Sequence, residues 1–75
     1  MYIDGKLVAE ELKSIRTRKG LSIKQVSEDI GIHFNSLSKY EKNADDMQLN
    51  ILEKLLAYYN IDELIFFKVI REYNH

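Results

Sequence analysis

Apolar and polar residues follow one another along this chain at the spacing of amphipathic helices. Val8, Leu12 and Ile15 share one face at intervals of four and three residues, which predicts a first helix over residues 6–19. Gly20 favours an end there, because glycine accepts a left-handed backbone without a Cβ penalty. The first element is therefore predicted to be a helix with one buried stripe.

Residues 21–41, LSIKQVSEDIGIHFNSLSKYE, predict two short helices joined by a tight turn. Ser22 is a natural N-cap, and Gln25 stands three residues later, as in a capping box. Gly31 is a C-terminal stop for the first of the two helices. This stretch is the most informative part of the chain, since its spacing is that of a helix-turn-helix unit.

The second of these two helices is predicted over residues 33–42 and has two unlike sides. Ile32, Leu37 and Tyr40 form the apolar side, which we expect to face the core. A helix of this size fits the DNA major groove, where side chains on its outer side can reach base edges or phosphates. That outer side consists of His33, Phe34, Asn35, Ser36, Ser38 and Lys39.

The chain beyond residue 42 predicts a fourth helix. Asn43 can close the third helix in the left-handed conformation, and Asp45 and Asp46 are candidate N-caps for the fourth. Asn60 can close the fourth helix. Its buried stripe is expected to contain Leu49, Leu52, Leu56 and Tyr59, widened by Ile51 and Leu55.

The two chain ends leave an alternative open. Residues 62–73, DELIFFKVIREY, fit a helix capped by Asp62, but the run 64–70 also fits a buried strand. Tyr2-Ile3 fits a short strand ahead of an Asp4-Gly5 turn. The expected fold is all-α, a compact bundle of four to five helices with a central helix-turn-helix, and in the alternative a short strand at one or both ends.

Size and composition limit what else the chain can be. Its 75 residues are expected to form a single domain over residues 1–75. A core this small is marginal by burial alone, so dimerisation would stabilise it. The absence of cysteine excludes disulfides and thiolate metal sites. No segment has the pattern of a membrane span or a signal peptide, so we expect a cytoplasmic protein.

The net charge of −1 hides an uneven distribution. Residues 13–42 hold seven basic and three acidic residues, a net +4, whereas the remainder holds four basic and nine acidic ones, a net −5. A dipolar molecule of this kind can meet phosphate with its basic part. The same lysines fit ordinary solvated helix faces equally well, so charge alone does not decide between these interpretations.

From Leu12 to about Phe67 the chain resembles the lambda-repressor-like helix-turn-helix domains of the Cro/C1 or XRE type. The segments LKSIRTRKGLS, QVSEDIGIHFNSLSKYE and LNILEKLLAYYNIDEL carry the match by their order and spacing. The resemblance implies a domain that binds specific sequences in double-stranded DNA.

The resemblance also implies roles for individual residues. Arg16 and Glu41 would form a buried ion pair between the first helix and the end of the third. Ser27 would be the small residue that lets the second and third helices approach closely. The implied base contacts come from His33, Phe34, Asn35 and Lys39. The implied phosphate contacts come from Ser22, Lys24, Ser36, Ser38 and Lys42.

The chain departs from the family pattern in two places. Ile23 stands where relatives often have glutamine, and it cannot donate a hydrogen bond to a phosphate. Asp45 and Asp46 lie in the loop after the third helix, where many relatives present basic or neutral groups to DNA. If that loop approaches the duplex, its carboxylates repel phosphate.

Other side chains have simpler interpretations. Phe34 either projects outward toward a partner or folds back against Ile23 or Val26. The two histidines belong to no ligand cluster, so no metal site is expected, and no glycine-rich loop indicates a cofactor. The serines have no base and carboxylate around them, so we expect no enzyme. The residues interpreted as core or interface are Tyr58, Tyr59, Phe66, Phe67 and Tyr73.

These patterns together favour a small transcriptional regulator of bacterial or phage type. We expect a repressor that binds DNA as a homodimer through its C-terminal apolar segment, with helix 33–42 in the major groove. The alternative is a protein-interaction module on the same fold, of antitoxin, antirepressor or polymerase-binding type. The net charge and the Asp45-Asp46 loop favour that alternative.

Overall fold

Five α-helices follow one another in residues 4–73, the part of the chain that this computed structural model describes. They are α1 (Gly5–Arg18), α2 (Ile23–Ile30), α3 (Phe34–Tyr40), α4 (Leu49–Tyr58) and α5 (Glu63–Tyr73). The expected all-α class is confirmed. No strand occurs within the described range, and the segment after Asn60 is a helix. The strand considered at Tyr2-Ile3 lies outside the described residues.

One hydrophobic cluster receives side chains from all five helices. Tyr59 and Phe66, at 1% and 2% exposure, are the largest side chains in it. Fully burying a side chain of this kind stabilises the fold by about 1.5–3 kcal/mol. The other members are Val8, Ala9, Leu12, Ile15, Val26, Leu37, Ala44, Leu52, Leu55, Leu56 and Ile70. Leu49, which was expected in the buried stripe of α4, is instead 65% exposed because it is the first residue of that helix.

Side-chain caps begin four of the helices: His33 caps α3, and an aspartate or a serine caps each of the other three. The Asp4 carboxylate accepts from the Lys6 backbone N–H at 2.8 Å, so Asp4 is the N-cap of α1 and not part of a turn after a strand. Ser22 Oγ accepts from Gln25 N–H at 3.0 Å, as the sequence predicted. Asp62 Oδ1 accepts from Leu64 N–H at 2.8 Å, which confirms the predicted cap of α5. These bonds satisfy donors that a helix leaves free in its first turn.

Left-handed backbone follows three of the helices, as predicted, and Gly20 after α1 has φ +69°. Gly31 has φ +74° after α2, and Asn60 has φ +59° after α4. The predicted left-handed Asn43 is wrong, because its φ is not positive and α3 already ends at Tyr40 with Glu41 as its C-cap. The Asn43 side chain has another use, since its Oδ1 accepts from the Asp45 N–H at 2.8 Å.

The predicted caps of α4 are also wrong. Asp45 and Asp46 occupy a turn closed by the Met47 N–H, which donates to the Ala44 carbonyl at 3.1 Å. α4 therefore begins later, at Leu49, and its N-cap Gln48 makes no side-chain capping bond.

The turn over residues 44–47, which we call the acidic turn, packs directly on the start of α1. The Ala44 N–H donates to the Gly5 carbonyl at 3.0 Å. A Cβ at Gly5 would lie 2.6 Å from Asp45 N and closer still to Asp45 Oδ1. Glycine is therefore required here by close approach, which fixes the acidic turn against the body of the protein.

Within residues 4–73, none of the five helices is both long and apolar enough to traverse a lipid bilayer.

Candidate nucleic-acid interface

The turn between α2 and α3 is held by backbone bonds and apolar packing. The N–H groups of Gly31 and Ile32 both donate to the Ser27 carbonyl at 3.0 Å, the arrangement of a helix closed by a left-handed residue. Val26 and Leu37 are 0% and 1% exposed on the facing sides of the two helices. This packing gives α2 and α3 a fixed relative orientation.

Ser27 is buried where the two helices approach. Its hydroxyl donates to the Lys24 carbonyl at 2.9 Å, so its polar group has a partner within α2. The small side chain leaves space for α3, as expected at this position. Ile30 and Ile32 are only partly buried and pack at the edge of the core.

The structure brings Arg16 and Glu41 together in a buried, bidentate ion pair. Arg16 Nε donates to Glu41 Oε2 at 2.7 Å and Nη2 donates to Oε1 at 2.9 Å. Arg16 Nη1 donates to the Leu21 carbonyl at 2.8 Å. The hydrogen bonding that Arg16 donates to Glu41 raises the pKa of Arg16 above its ordinary value despite the opposing effect of burial. The end of α3 is thereby joined to α1 and to the loop before α2.

The four predicted base-contacting residues lie together on the exposed side of α3. His33, Phe34, Asn35 and Lys39 are all solvent-exposed, and Phe34 retains 47% of its accessible surface. The interpretation in which Phe34 folds back into the protein is therefore not the arrangement found. An exposed aromatic ring beside polar side chains is available to a partner.

The helix predicted over residues 33–42 included His33. In the structure His33 instead precedes α3 and is its N-cap. Its Nδ1 accepts from the Asn35 N–H at 3.2 Å. This bond assigns the neutral ring a proton on Nε2, which leaves Nε2–H as the donor facing outward. A proton added at Nδ1 would remove the cap.

The predicted phosphate-contacting residues divide into two groups. Ser22 and Lys24 at the start of α2 and Lys42 after α3 are exposed, whereas Ser36 and Ser38 are partly buried. Ser22 Oγ already accepts from Gln25 N–H, so only its own O–H remains as a donor.

Sequence reasoning missed a contact of Lys39. Its Nζ lies 3.8 Å from Asp46 Oδ2, and the two side chains are 67% and 79% exposed. The pattern revealed both charges but not their proximity, because the proximity depends on the fold of the acidic turn. Asp46 therefore lies beside the candidate base-contacting face.

A second missed contact joins α4 to α2. The Tyr58 hydroxyl donates to Asp29 Oδ2 at 2.6 Å, and that bond raises the pKa of Tyr58 above its ordinary value. Tyr58 was interpreted only as a core or interface residue, although its hydroxyl group is polar and solvent-exposed. Of the other aromatic residues, Tyr59 and Phe66 are buried, Phe67 is partly buried and Tyr73 is 63% exposed. No grouping of three or more metal-ligating side chains occurs in the described part of the chain.

Comparison with known proteins identifies this geometry. The helix-turn-helix family model matches residues 12–66, nearly the range over which the resemblance was seen. No curated protein matches the chain. The crystal structure of one single-residue mutant of the restriction-modification controller protein C.Esp1396I is similar with a TM-score of 0.82 and 19% identity, covering 91% of each chain. A second mutant of that protein has a TM-score of 0.81 and 19% identity, covering 89% of this chain and 87% of that one.

At this identity the structural similarity establishes the fold, and the family match extends over most of the chain. The protein belongs to the Cro/C1-type helix-turn-helix family, a family of sequence-specific DNA-binding transcriptional regulators.

Proposed function

We propose that this regulator is a repressor that binds its operator as a homodimer, with the segment over residues 33–42, which contains α3, in the major groove. The observation that carries the proposal is the outward face of α3, whose four candidate base-contacting residues are all exposed. Repression would be steric, because a dimer bound at an operator occupies the site that polymerase needs. The whole chain, residues 1–75, would act as one DNA-binding domain.

Each exposed residue of α3 has a chemical match on a base. Asn35 can donate and accept in a bidentate pair with adenine N6 and N7, and Lys39 can donate to guanine O6 or N7. Phe34 can pack on a thymine methyl group, and His33 can donate from Nε2. A good bidentate pair of this kind discriminates against a wrong base by about 1–3 kcal/mol.

The proposed phosphate contacts surround this face. Lys24 and Lys42 supply charge, and the hydroxyl groups of Ser22, Ser36 and Ser38 supply donors. Such contacts position the protein on the duplex and carry no sequence information themselves. They would set the register of α3 in the groove.

The dimer is proposed from α5. Leu64, Ile65 and Tyr73 are 81%, 61% and 63% exposed, whereas Phe66 and Ile70 face the core. Apolar side chains of this size, grouped on one helix, are typical of an interface. A twofold axis through α5 would present two copies of α3, as the two half-sites of a palindromic operator require.

Selection of bound sequences from a random duplex pool tests the proposal. We expect a palindrome with a fixed spacing between its half-sites, because two identical readers are related by a twofold axis. Enrichment of an unpaired half-site would contradict the dimer. No enrichment at any salt concentration would contradict the proposed operator binding.

The same exposed residues of α5 support a second candidate function, a module that binds another protein. That module would use α5 or Phe34 as its contact surface. Binding to bulk DNA at low and moderate salt distinguishes the two, since phosphate contacts release counterions and weaken steeply with salt. A protein-binding module would show almost no DNA binding in either condition.

A further inference from the structure

The acidic turn has a defined position beside the candidate DNA-binding face. Three hydrogen bonds hold it: Ala44 N–H to the Gly5 carbonyl, Met47 N–H to the Ala44 carbonyl, and Asp45 N–H to Asn43 Oδ1. Its backbone also fits against the Cα of Gly5, where a Cβ would collide. The turn is therefore an anchored element and not a free loop.

This anchoring places a carboxylate beside a proposed DNA-contacting cation. Asp46 Oδ2 lies 3.8 Å from Lys39 Nζ, with no other described charge nearer to that ammonium within ion-pair distance. Both side chains are mostly exposed, so the pair adds little to the stability of the fold. Its consequence concerns binding instead, because the Asp46 carboxylate neighbours the Lys39 ammonium group that DNA would contact.

We infer that Asp46 is an internal competitor with DNA for Lys39 and restrains sequence-independent binding. The inference rests on the proposed function of α3 in the major groove. Docking would bring a phosphate or guanine oxygen to the same ammonium group that the Asp46 carboxylate neighbours in the free protein. Docking of α3 on any duplex therefore exchanges one anionic partner of Lys39 for another.

This competition determines which contacts produce net affinity. The ammonium loses a carboxylate when it gains a phosphate, so the electrostatic gain on an arbitrary sequence is reduced. Base-edge hydrogen bonds from Asn35 have no such internal competitor, since no hydrogen bond from its side chain to a described residue is found. The regulator would then remain bound mainly where base contacts are also made.

A charge-matched comparison tests the competition. Asp46→Asn and Glu53→Gln each remove one negative charge, but Glu53 lies exposed on α4. The probe is a labelled duplex of random sequence, titrated at several salt concentrations between about 50 and 200 mM. We expect Asp46→Asn to tighten binding by at most about fivefold at the lowest salt, because an exposed ion pair is weak, and its log–log salt slope to steepen by part of the about 0.9 that one phosphate contact contributes. Glu53→Gln is expected to change the affinity and the salt slope by only a small part of these amounts.

A double-mutant cycle shows whether Lys39 mediates the effect. In a Lys39→Ala background, Asp46→Asn is expected to have no larger effect than Glu53→Gln. An equal effect of Asp46→Asn with and without Lys39 would overturn the competition and leave only general repulsion. An equal effect of Asp46→Asn and Glu53→Gln in the wild-type background would overturn it as well.

The same titration separates this inference from the proposed function. If the wild type binds and Asp46→Asn does not differ from Glu53→Gln, only the competition is overturned. If neither the wild type nor Asp46→Asn binds at low salt, the proposed function fails and the competition fails with it. Binding by Asp46→Asn alone would support both. The melting temperature of Asp46→Asn is expected to match that of the wild type, so altered folding would not account for the result.

Discussion

Arg16 and Glu41 are 25 residues apart in the chain, yet the guanidinium of one binds both carboxylate oxygens of the other in the protein interior. The side chains are 11% and 4% exposed. Because Arg16 also bonds the Leu21 carbonyl, one residue connects the last turn of α1, the following loop and the end of α3. The position of the candidate DNA-binding helix depends on this connection.

Removal of Glu41 is expected to destabilise the protein strongly. Glu41→Ala leaves the Arg16 charge buried without its partner, which typically costs about 3–5 kcal/mol. Urea denaturation should show a lower free energy of unfolding. Glu53→Ala, on an exposed face of α4, is the control and should unfold like the wild type. A wild-type midpoint for Glu41→Ala would remove the structural role assigned to the pair.

Asn35→Ala is expected to reduce discrimination between DNA sites more than overall affinity. The loss of one bidentate base contact corresponds to about 1–3 kcal/mol of discrimination. Competition between the selected operator and single-base variants measures it. Asn50→Ala, at an exposed position of α4, is the matched control. Unchanged site preference in Asn35→Ala would mean that this side chain reads no base.

Lys39→Ala is expected to weaken binding and to flatten its salt dependence. A lysine in the groove displaces DNA counterions whether it reaches a base or a phosphate, so its loss should lower the log–log slope by at most about 0.9. Since Lys39 would exchange Asp46 for DNA on binding, the affinity should fall less than for a DNA-contacting lysine that has no internal partner. Lys54→Ala on α4 provides the comparison. The same slope in Lys39→Ala and wild type would show that Lys39 never contacts DNA.

High pH is expected to destabilise the fold through Tyr59. Burial, assisted by the Glu41 charge, raises the pKa of the Tyr59 hydroxyl from 10.0 to about 12. The folded state therefore holds this proton more tightly than the unfolded state. The contribution of this proton to the free energy of unfolding is fully present below pH 10.0 and is lost as the pH rises toward about 12. Two pKa units correspond to about 3 kcal/mol.

Tyr59→Phe isolates this effect from the titration of lysines, which changes stability in both proteins. Urea unfolding between about pH 9 and pH 11.5 covers most of the interval in which a free tyrosine and the buried one differ. The free energy of unfolding should fall more steeply in the wild type than in Tyr59→Phe. If the free energy of unfolding fell equally with pH in both proteins, Tyr59 would be excluded as the source of the alkaline destabilisation.

Polar substitution on the outer side of α5 is expected to dissociate the proposed dimer. Leu64→Ser combined with Ile65→Ser removes two exposed apolar side chains without opening the core. Sedimentation velocity should report a monomer for this variant. Leu49→Ser changes an equally exposed leucine of α4 and should leave the dimer intact. A dimer that survives the α5 changes would place the interface elsewhere.

The local sequence pattern was sufficient to predict the helices and most of their ends. Ser22, Gly31, Asn60 and Asp62 act where the sequence placed them, because capping depends on a side chain and backbone a few residues away. It was insufficient for the chain between α3 and α4. Asp45 has the chemistry of an N-cap, but its turn packs on Gly5, about 40 residues earlier in the chain, and that long-range contact outweighed local preference.

The type of α5 and the surroundings of Lys39 were also decided by three-dimensional packing. The apolar residues over residues 64–70 fit the spacing of a helix and also that of a buried strand when the sequence is considered alone. Burial of Phe66 and Ile70 against the other helices selects the helix. Likewise, the sequence alone predicted the polar and aromatic face of α3 and the turn at Gly31 before it. The tertiary structure added the carboxylate of Asp46 beside that face, since pairing of distant charges depends on how the intervening backbone is anchored and not on either residue's neighbours.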